Sequence, residues 1–209
     1  NAWVNLFKEY QELLGIPVDM NEVYGKLYNN ALKGNPDCGG LISYNYISGE
    51  PVTGLAEGRP LFVRSAGDKF NLANFMRAHL HASVGVLKID NDILFNEEKI
   101  KVDRITGHGG LFKTAGVGQR ILAAAINSPI SVMETAGEGG PWGMALLASY
   151  LVNNPKGLAL ADYLDRVVFA GNTGVEIAPT PEDVEGFNKY IENYKACLGV
   201  EEAAVNCKK

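Results

Sequence analysis

An α/β layer architecture is what the pattern of this 209-residue chain calls for. Predicted elements run helix, strand, helix, strand, helix, an order that layered α/β domains share. Apolar residues switch between 3.6-residue spacing and short continuous runs. Two glycine-rich turns, 107–114 and 134–141, each follow a strand-like run and precede a helix-like one.

The elements follow in chain order. Trp3, Leu6, Phe7, Tyr10 and Leu14 recur at helical spacing until Gly15 and Pro17 stop them. A second helix is expected over Met20–Leu32, with Asn21 as its cap. Residues 35–40, Asn-Pro-Asp-Cys-Gly-Gly, read as a loop. Leu41–Ile47 reads as a strand ended by Ser48-Gly49-Glu50-Pro51, and 51–69 as irregular chain rich in Gly, Pro and charge. A long helix over Asn71–Leu94 lines up Leu72, Phe75, Met76, Leu80, Val84 and Leu87 on one face. Strand Val102–Thr106, a glycine turn and helix Val117–Ile126 come next, then strand Ile130–Met133. Pro141 stands where helices start, ahead of a small-residue helix over Trp142–Leu151. Helices near Leu158–Val167 and Glu182–Cys197 close the chain. There are no repeats and no low-complexity tracts.

Composition narrows function. The chain is 46% hydrophobic and 21% charged, enough to build a core. Its net charge of −5 comes without a basic stripe, which argues against a nucleic-acid partner. No apolar run approaches the roughly 20 residues that span a bilayer, so no membrane partner is expected. Cys38, Cys197 and Cys207 are scattered and odd in number, as expected of reduced cytoplasmic thiols. The opening Asn-Ala-Trp, already in helical register and without Met, reads as part of a longer polypeptide.

Residues 107–114, Gly-His-Gly-Gly-Leu-Phe-Lys-Thr, carry the functional signal. Glycines at the end of a strand let backbone approach a flat or anionic ligand, and the next helix presents free N–H groups there. Three nucleotide signatures compete. A phosphate loop fits Lys113 and Thr114, but Phe112 holds its second glycine position. A dinucleotide fingerprint fits Gly107 and Gly109, with Glu134 as the ribose acid, and again fails at Phe112. The adenosine turn of actin-like ATPases needs a strand ending in Gly-Gly, a helix, a further strand, then a small-residue turn and helix. This chain has both parts in that order, at 107–114 and 135–148. The plain alternative is that the glycines serve only tight turns and close helix packing.

The second glycine region includes Gly143-Met144-Ala145-Leu146-Leu147-Ala148. With it, Gly109-Gly110, Gln119-Arg120-Ile121-Leu122-Ala123, Ser128-Pro129-Ile130, Ser48-Gly49-Glu50-Pro51, Arg77-Ala78-His79-Leu80 and Ala178-Pro179-Thr180-Pro181-Glu182 resemble the FGGY family of carbohydrate kinases, xylulokinase-like and ribulokinase-like. The resemblance runs from about Trp3 to Tyr194. Val86-Leu87 stand where the family usually has Glu-Gly, and Pro51-Val52 where it has Arg-Thr-Pro. It implies an actin-like ATPase (ribonuclease H-like) C-terminal domain, incomplete at its N-terminal side, over 1–209, with the N-terminal sugar-binding domain absent.

The implied reaction moves the γ-phosphoryl of ATP to a sugar hydroxyl, with a pentulose such as xylulose or ribulose as acceptor and ATP and Mg²⁺ as cofactors. Catalytic residues lie outside the chain, which alone is expected to be inactive. ATP/ADP and the sugar are the implied partners, and a homodimer is left open. The expected nucleotide residues are Gly109 and Gly110 facing adenine, Gly107 making the turn, Thr114 at the adenine edge and Lys113. For Thr114 a helix cap competes, and for Lys113 a solvated charge.

The other candidates read as structural. His108 is expected to bond local backbone. His79 and His81, two apart on a helix, diverge and suit packing rather than a shared metal. Glu134 and Glu138 read as solvated charges or caps ahead of ribose ligands. Cys38 shows no base partner, and Trp142 reads as helix-layer packing. Rival functions are a nucleotide-binding regulatory or assembly module without phosphotransfer, and a dinucleotide-dependent oxidoreductase.

Overall fold

The computed structural model describes residues 2–100, 102, 105–133, 139–154, 156–170 and 174–207. Helix α1 (Ala2–Leu13) stops at Gly15, as its sequence predicts. Helix α2 (Met20–Ala31) is capped by Asp19, whose carboxylate accepts from the Asn21 amide at 2.8 Å. Asn21, expected as the cap, is instead inside the first turn, because the carboxylate two residues earlier reaches its orphan N–H.

Residues 42–44 form β1 (Ile42–Tyr44), shorter than the run Leu41–Ile47. It pairs antiparallel with β2 (Leu61–Val63), Ile42 opposite Val63, so the stretch expected to be irregular contains a strand. Helix α3 (Leu72–Asp92) starts where the Asn71 side chain accepts from the Asn74 amide at 2.9 Å. It buries Phe75, Met76, Ala78, Leu80 and Val84, while Leu72 and Leu87 at its ends are exposed.

Strand β3 (Ile105–Gly107), helix α4 (Val117–Ile126) and strand β4 (Ile130–Val132) form a strand–helix–strand unit. The strands are parallel, with Gly107 opposite Val132, so both carboxyl ends reach the same sheet edge. Parallel strands need a crossover, and α4 supplies it. Every residue of α4 is buried except Arg120. Strand β5 (Val175–Ile177) adds antiparallel to β4. Buried Gln119 ties this sheet from behind: its side-chain amide donates to the carbonyls of Ile130 at 3.1 Å and Val175 at 2.8 Å.

Helix α5 (Gly139–Val152) starts two residues before Pro141, and none of residues 140–152 is buried, Trp142 included. A short helix, α6 (Leu160–Tyr163), runs into a wider π turn over Leu164–Val168. Helix α7 (Pro181–Ala196) is capped by Thr180, with proline at its first position. Helix α8 (Leu198–Cys207) follows, unannounced by its sequence pattern.

The core is shared by α2, α3, α4, α7 and β1. On α7 it takes Phe187, Tyr190, Ile191 and Tyr194. The Tyr44 hydroxyl donates to the Tyr194 carbonyl at 2.6 Å, and that of Tyr194 to Tyr46 at 2.7 Å. Burial pushes the Tyr44, Tyr190 and Tyr194 hydroxyls well above their usual range, so they stay protonated donors.

A buried ion cluster locks the three helices together. Asp183 of α7 meets Arg77 of α3 and Arg120 of α4, each at 2.6 Å. Arg77 also donates to the Gly34 carbonyl at 3.1 Å, and the Thr180 hydroxyl donates to Asp183 at 2.9 Å. Burial alone would raise the Asp183 carboxyl, but hydrogen bonds from Arg120, Arg77 and Thr180 outweigh it and hold the group below the usual carboxylate range.

Candidate functional site: the glycine turn and its groove

The turn begins where β3 ends. Gly107 is buried, and a Cβ there would collide with the ring of Phe112. This explains the residue that spoils two of the three nucleotide signatures: Phe112 folds back to fill the space left by Gly107, and the turn closes on its own ring. Gly109 has φ +104°, where side-chain-bearing residues are strained. Its carbonyl accepts from the Phe112 amide at 3.0 Å, and that of Gly110 from the Lys113 amide at 3.2 Å.

Positions 109 and 110 face open space: nothing lies within 4 Å of where a Cβ would stand at either. Gly110, Lys113 and Thr114 line a groove of about 970 Å³. Its other walls come from α1, α2 and α3, through residues that include Trp3, Tyr24 and His79, and from Asn45, Ile47 and Pro60 beside β1 and β2. Of the five expected site residues, three therefore border one groove. Gly107 supports the turn from beneath, and Gly109 sets its path.

Thr114 is not a helix cap: α4 starts from Gly116 without a side-chain cap. His108 is exposed. Glu134, Glu138 and most of the second glycine turn lie outside the described residues. The walls supplied by α1 and α2 were not foreseen. Trp3 and Tyr24 are apolar-face residues of amphipathic helices, and spacing alone does not separate a core face from a groove wall.

The three other titratable candidates are settled by their partners. His81 is fully buried; its Nε2 accepts from Arg77 at 3.4 Å, which leaves Nδ1–H facing the Cys38 sulfur at 3.3 Å. Cys38 thus has an imidazole neighbour that its sequence context hid, but one that donates to the sulfur and cannot act as its base. Burial pushes the thiol up and the imidazole down, so the pair is neutral and not an activated nucleophile. His79 is half-buried among Trp3, Phe62 and Phe75, with Nδ1 2.7 Å from the Ser43 hydroxyl. Burial lowers its pKa to about 4. The two histidines diverge as their spacing predicts. Among the described residues no group of three His, Cys, Asp or Glu could hold a metal, and the described groove lining has no carboxylate for Mg²⁺.

Comparison with known proteins follows this geometry. The model of the FGGY family of carbohydrate kinases, C-terminal domain, matches residues 1–152. The chain belongs to this family. No curated protein matches. Among solved structures, a xylulose kinase from Lactobacillus acidophilus is similar at 20% identity and TM-score 0.65, over 83% of this chain and 34% of that one. A Plasmodium falciparum glycerol kinase with ADP is similar at 16% identity and TM-score 0.62, over 84% and 33%. A kinase of the xylulose type from Brucella ovis gives 17% and 0.64, over 94% and 38%. At these identities the likeness shows the fold, the actin-like ATPase fold of FGGY C-terminal domains. The chain spans about a third of the length of these kinases. Among the described residues, no helix is long and apolar enough to cross a membrane.

Proposed function

We propose that this chain is the nucleotide-binding part of a carbohydrate kinase, and that the groove beside the glycine turn takes the adenosine end of ATP. The observation that carries this reading is the open backbone of Gly109 and Gly110, with Gly110 on the groove wall, just past the carboxyl end of a parallel strand. Ligands of open α/β sheets sit at that edge. The glycine carbonyls are turned inward on the turn's own hydrogen bonds, so the exposed surface is flat and side-chain-free, suited to a purine face. Thr114 offers a hydroxyl to the base edge and Lys113 a cation near the ribose. Gly107 keeps the turn closed over Phe112.

ATP supplies the phosphoryl group that passes to a sugar hydroxyl, with a pentulose as the favoured acceptor. Such transfer depends on positioning and charge neutralisation. The share of these residues is to bind and orient the nucleotide and to exclude water from one side of it. The similar glycerol kinase solved with ADP supports a nucleotide as ligand.

Gly110→Val tests the reading cleanly, because the structure has room for the side chain and the fold should be kept. ADP binding by calorimetry should weaken at least about 10-fold, a loss of ~1.4 kcal/mol, with an unchanged melting temperature. Equal affinity in the two proteins would remove the glycine shelf from the site. ADP binding without phosphorylation of any sugar by the longest natural polypeptide would favour a regulatory nucleotide module instead.

A further inference from the structure

On the groove wall one polar atom has no partner among the described residues: Nε2 of His79 is buried and makes no hydrogen bond to them. Buried polar groups are nearly always satisfied, so an orphan on a ligand groove needs a reason. The surrounding bonds fix its chemistry. The Asn45 side-chain N–H donates to the His79 carbonyl at 3.2 Å, which turns the Asn45 side-chain oxygen toward Ser43. The Ser43 hydroxyl has one proton to give, with that oxygen at 3.2 Å and the Leu61 carbonyl at 3.5 Å in reach; when it is given to either, the hydroxyl accepts from His79 Nδ1–H at 2.7 Å. The relay runs from Nδ1–H through the hydroxyl and leaves Nε2 as a bare lone pair. Neutral imidazole is the form that burial favours.

The Trp3 ring lies 5.3 Å from the His79 ring, tilted by 30°. It belongs to α1, which buries only Val4 completely. Trp3 and His79 both line the groove that contains Gly110.

Resting on the nucleotide reading above, we propose that His79 is a specificity residue of the groove, whose Nε2 accepts a hydrogen bond from an N–H or O–H donor of the bound nucleoside diphosphate when the groove wall rearranges around it. Two groups of ADP can donate: the exocyclic amine of adenine and the ribose hydroxyls. Ser43 and Asn45 act through His79 as positioning residues that hold its tautomer.

The test is ADP titrated by calorimetry into the intact chain and into His79→Phe and His79→Gln, with inosine diphosphate, which lacks the amine, and 2′- and 3′-deoxyADP alongside. His79→Phe should bind ADP about 3- to 10-fold more weakly, the range of one hydrogen bond. His79→Gln, which keeps an acceptor, should stay nearer the parent. One analogue should be indifferent to the Phe substitution: inosine diphosphate if the amine is the donor, a deoxy analogue if the ribose is. Imidazole ¹⁵N spectra should show an unprotonated Nε2 that shifts when ADP is added. ADP affinity unchanged in His79→Phe, or an equal loss for all four ligands, overturns the assignment while the nucleotide reading stands. No ADP binding by the parent overturns both.

Discussion

Asp183 holds two guanidinium groups, and only one of them is in reach of water. Arg77 and Asp183 are each 2% exposed in their side chains, and Arg120 is 40% exposed. Removing one partner of a buried pair strands the other, at a cost of about 3–5 kcal/mol. Asp183→Ala should therefore lower the urea midpoint sharply, and Arg120→Ala, a substitution at the wetter end, much less. Acid should act in two steps. His79 and His81 are neutral when folded, with pKa values below their unfolded value of 6.5, so the unfolded chain binds more protons there. Their contribution is complete above pH 6.5 and lost as pH falls below it, for His79 down to about 4. The Asp183 carboxyl sits below its unfolded value of 3.8 when folded, so its contribution is present above 3.8 and lost only as pH drops through the lower folded value. Urea midpoints from pH 7 to 3 should fall first in the histidine window, and Asp183→Asn should leave that first fall in place. A single-step loss centred below pH 4 would contradict the histidine assignment.

At the level of elements, helix α4 was legible to the residue, because glycine precedes it, an apolar face fills it and Asn127 ends it with φ +48°. Strands β2 and β5 were not. Each is three residues long, and pairing with a partner outside its own window makes it a strand. The closing helix carries a different lesson. Gly186 in the middle of α7 looks like a helix-weakening residue, by about 1 kcal/mol against alanine. Yet a Cβ there would run into Pro36, with the proline carbonyl carbon only 2.5 Å away. Gly186→Ala should destabilise the protein by about 1–3 kcal/mol despite better propensity; a rise in melting temperature would show that the 35–40 loop yields. Helix α1 shows the opposite mismatch. Leu6 and Tyr10, in helical register with Trp3 and Phe7, are exposed, and the helix is held by Val4, Phe7 and the Trp3 ring on Phe62 and Phe75. Helical spacing reports an apolar face but not what covers it.

For the molecule as a whole, sequence likeness and folding unit do not end together. The family match stops at residue 152, but the core takes four large side chains and the Asp183 carboxylate from α7. A chain cut at 152 would keep Arg77 buried without its counter-charge. It should give a compact state with helical far-ultraviolet signal, dye binding and no cooperative melt; a sharp transition near that of the intact chain would show that α7 is dispensable. The site was half legible at this scale. The glycine turn announced itself through three glycines in four residues, because backbone freedom is written directly in residue type. The groove did not, since it needs α1, α2 and α3 assembled around residues far from the turn in sequence.

That last staple also sets a clock on synthesis. Arg77 and the aspartate that neutralises it are separated by 106 residues. At roughly 5–20 residues per second a ribosome takes about 5–20 s to deliver the second after the first. Throughout that interval the guanidinium has no anion to meet and the tyrosine layer has no lid. The nascent polypeptide should thus stay a client of chaperones until α7 clears the exit tunnel, and then close in one late step.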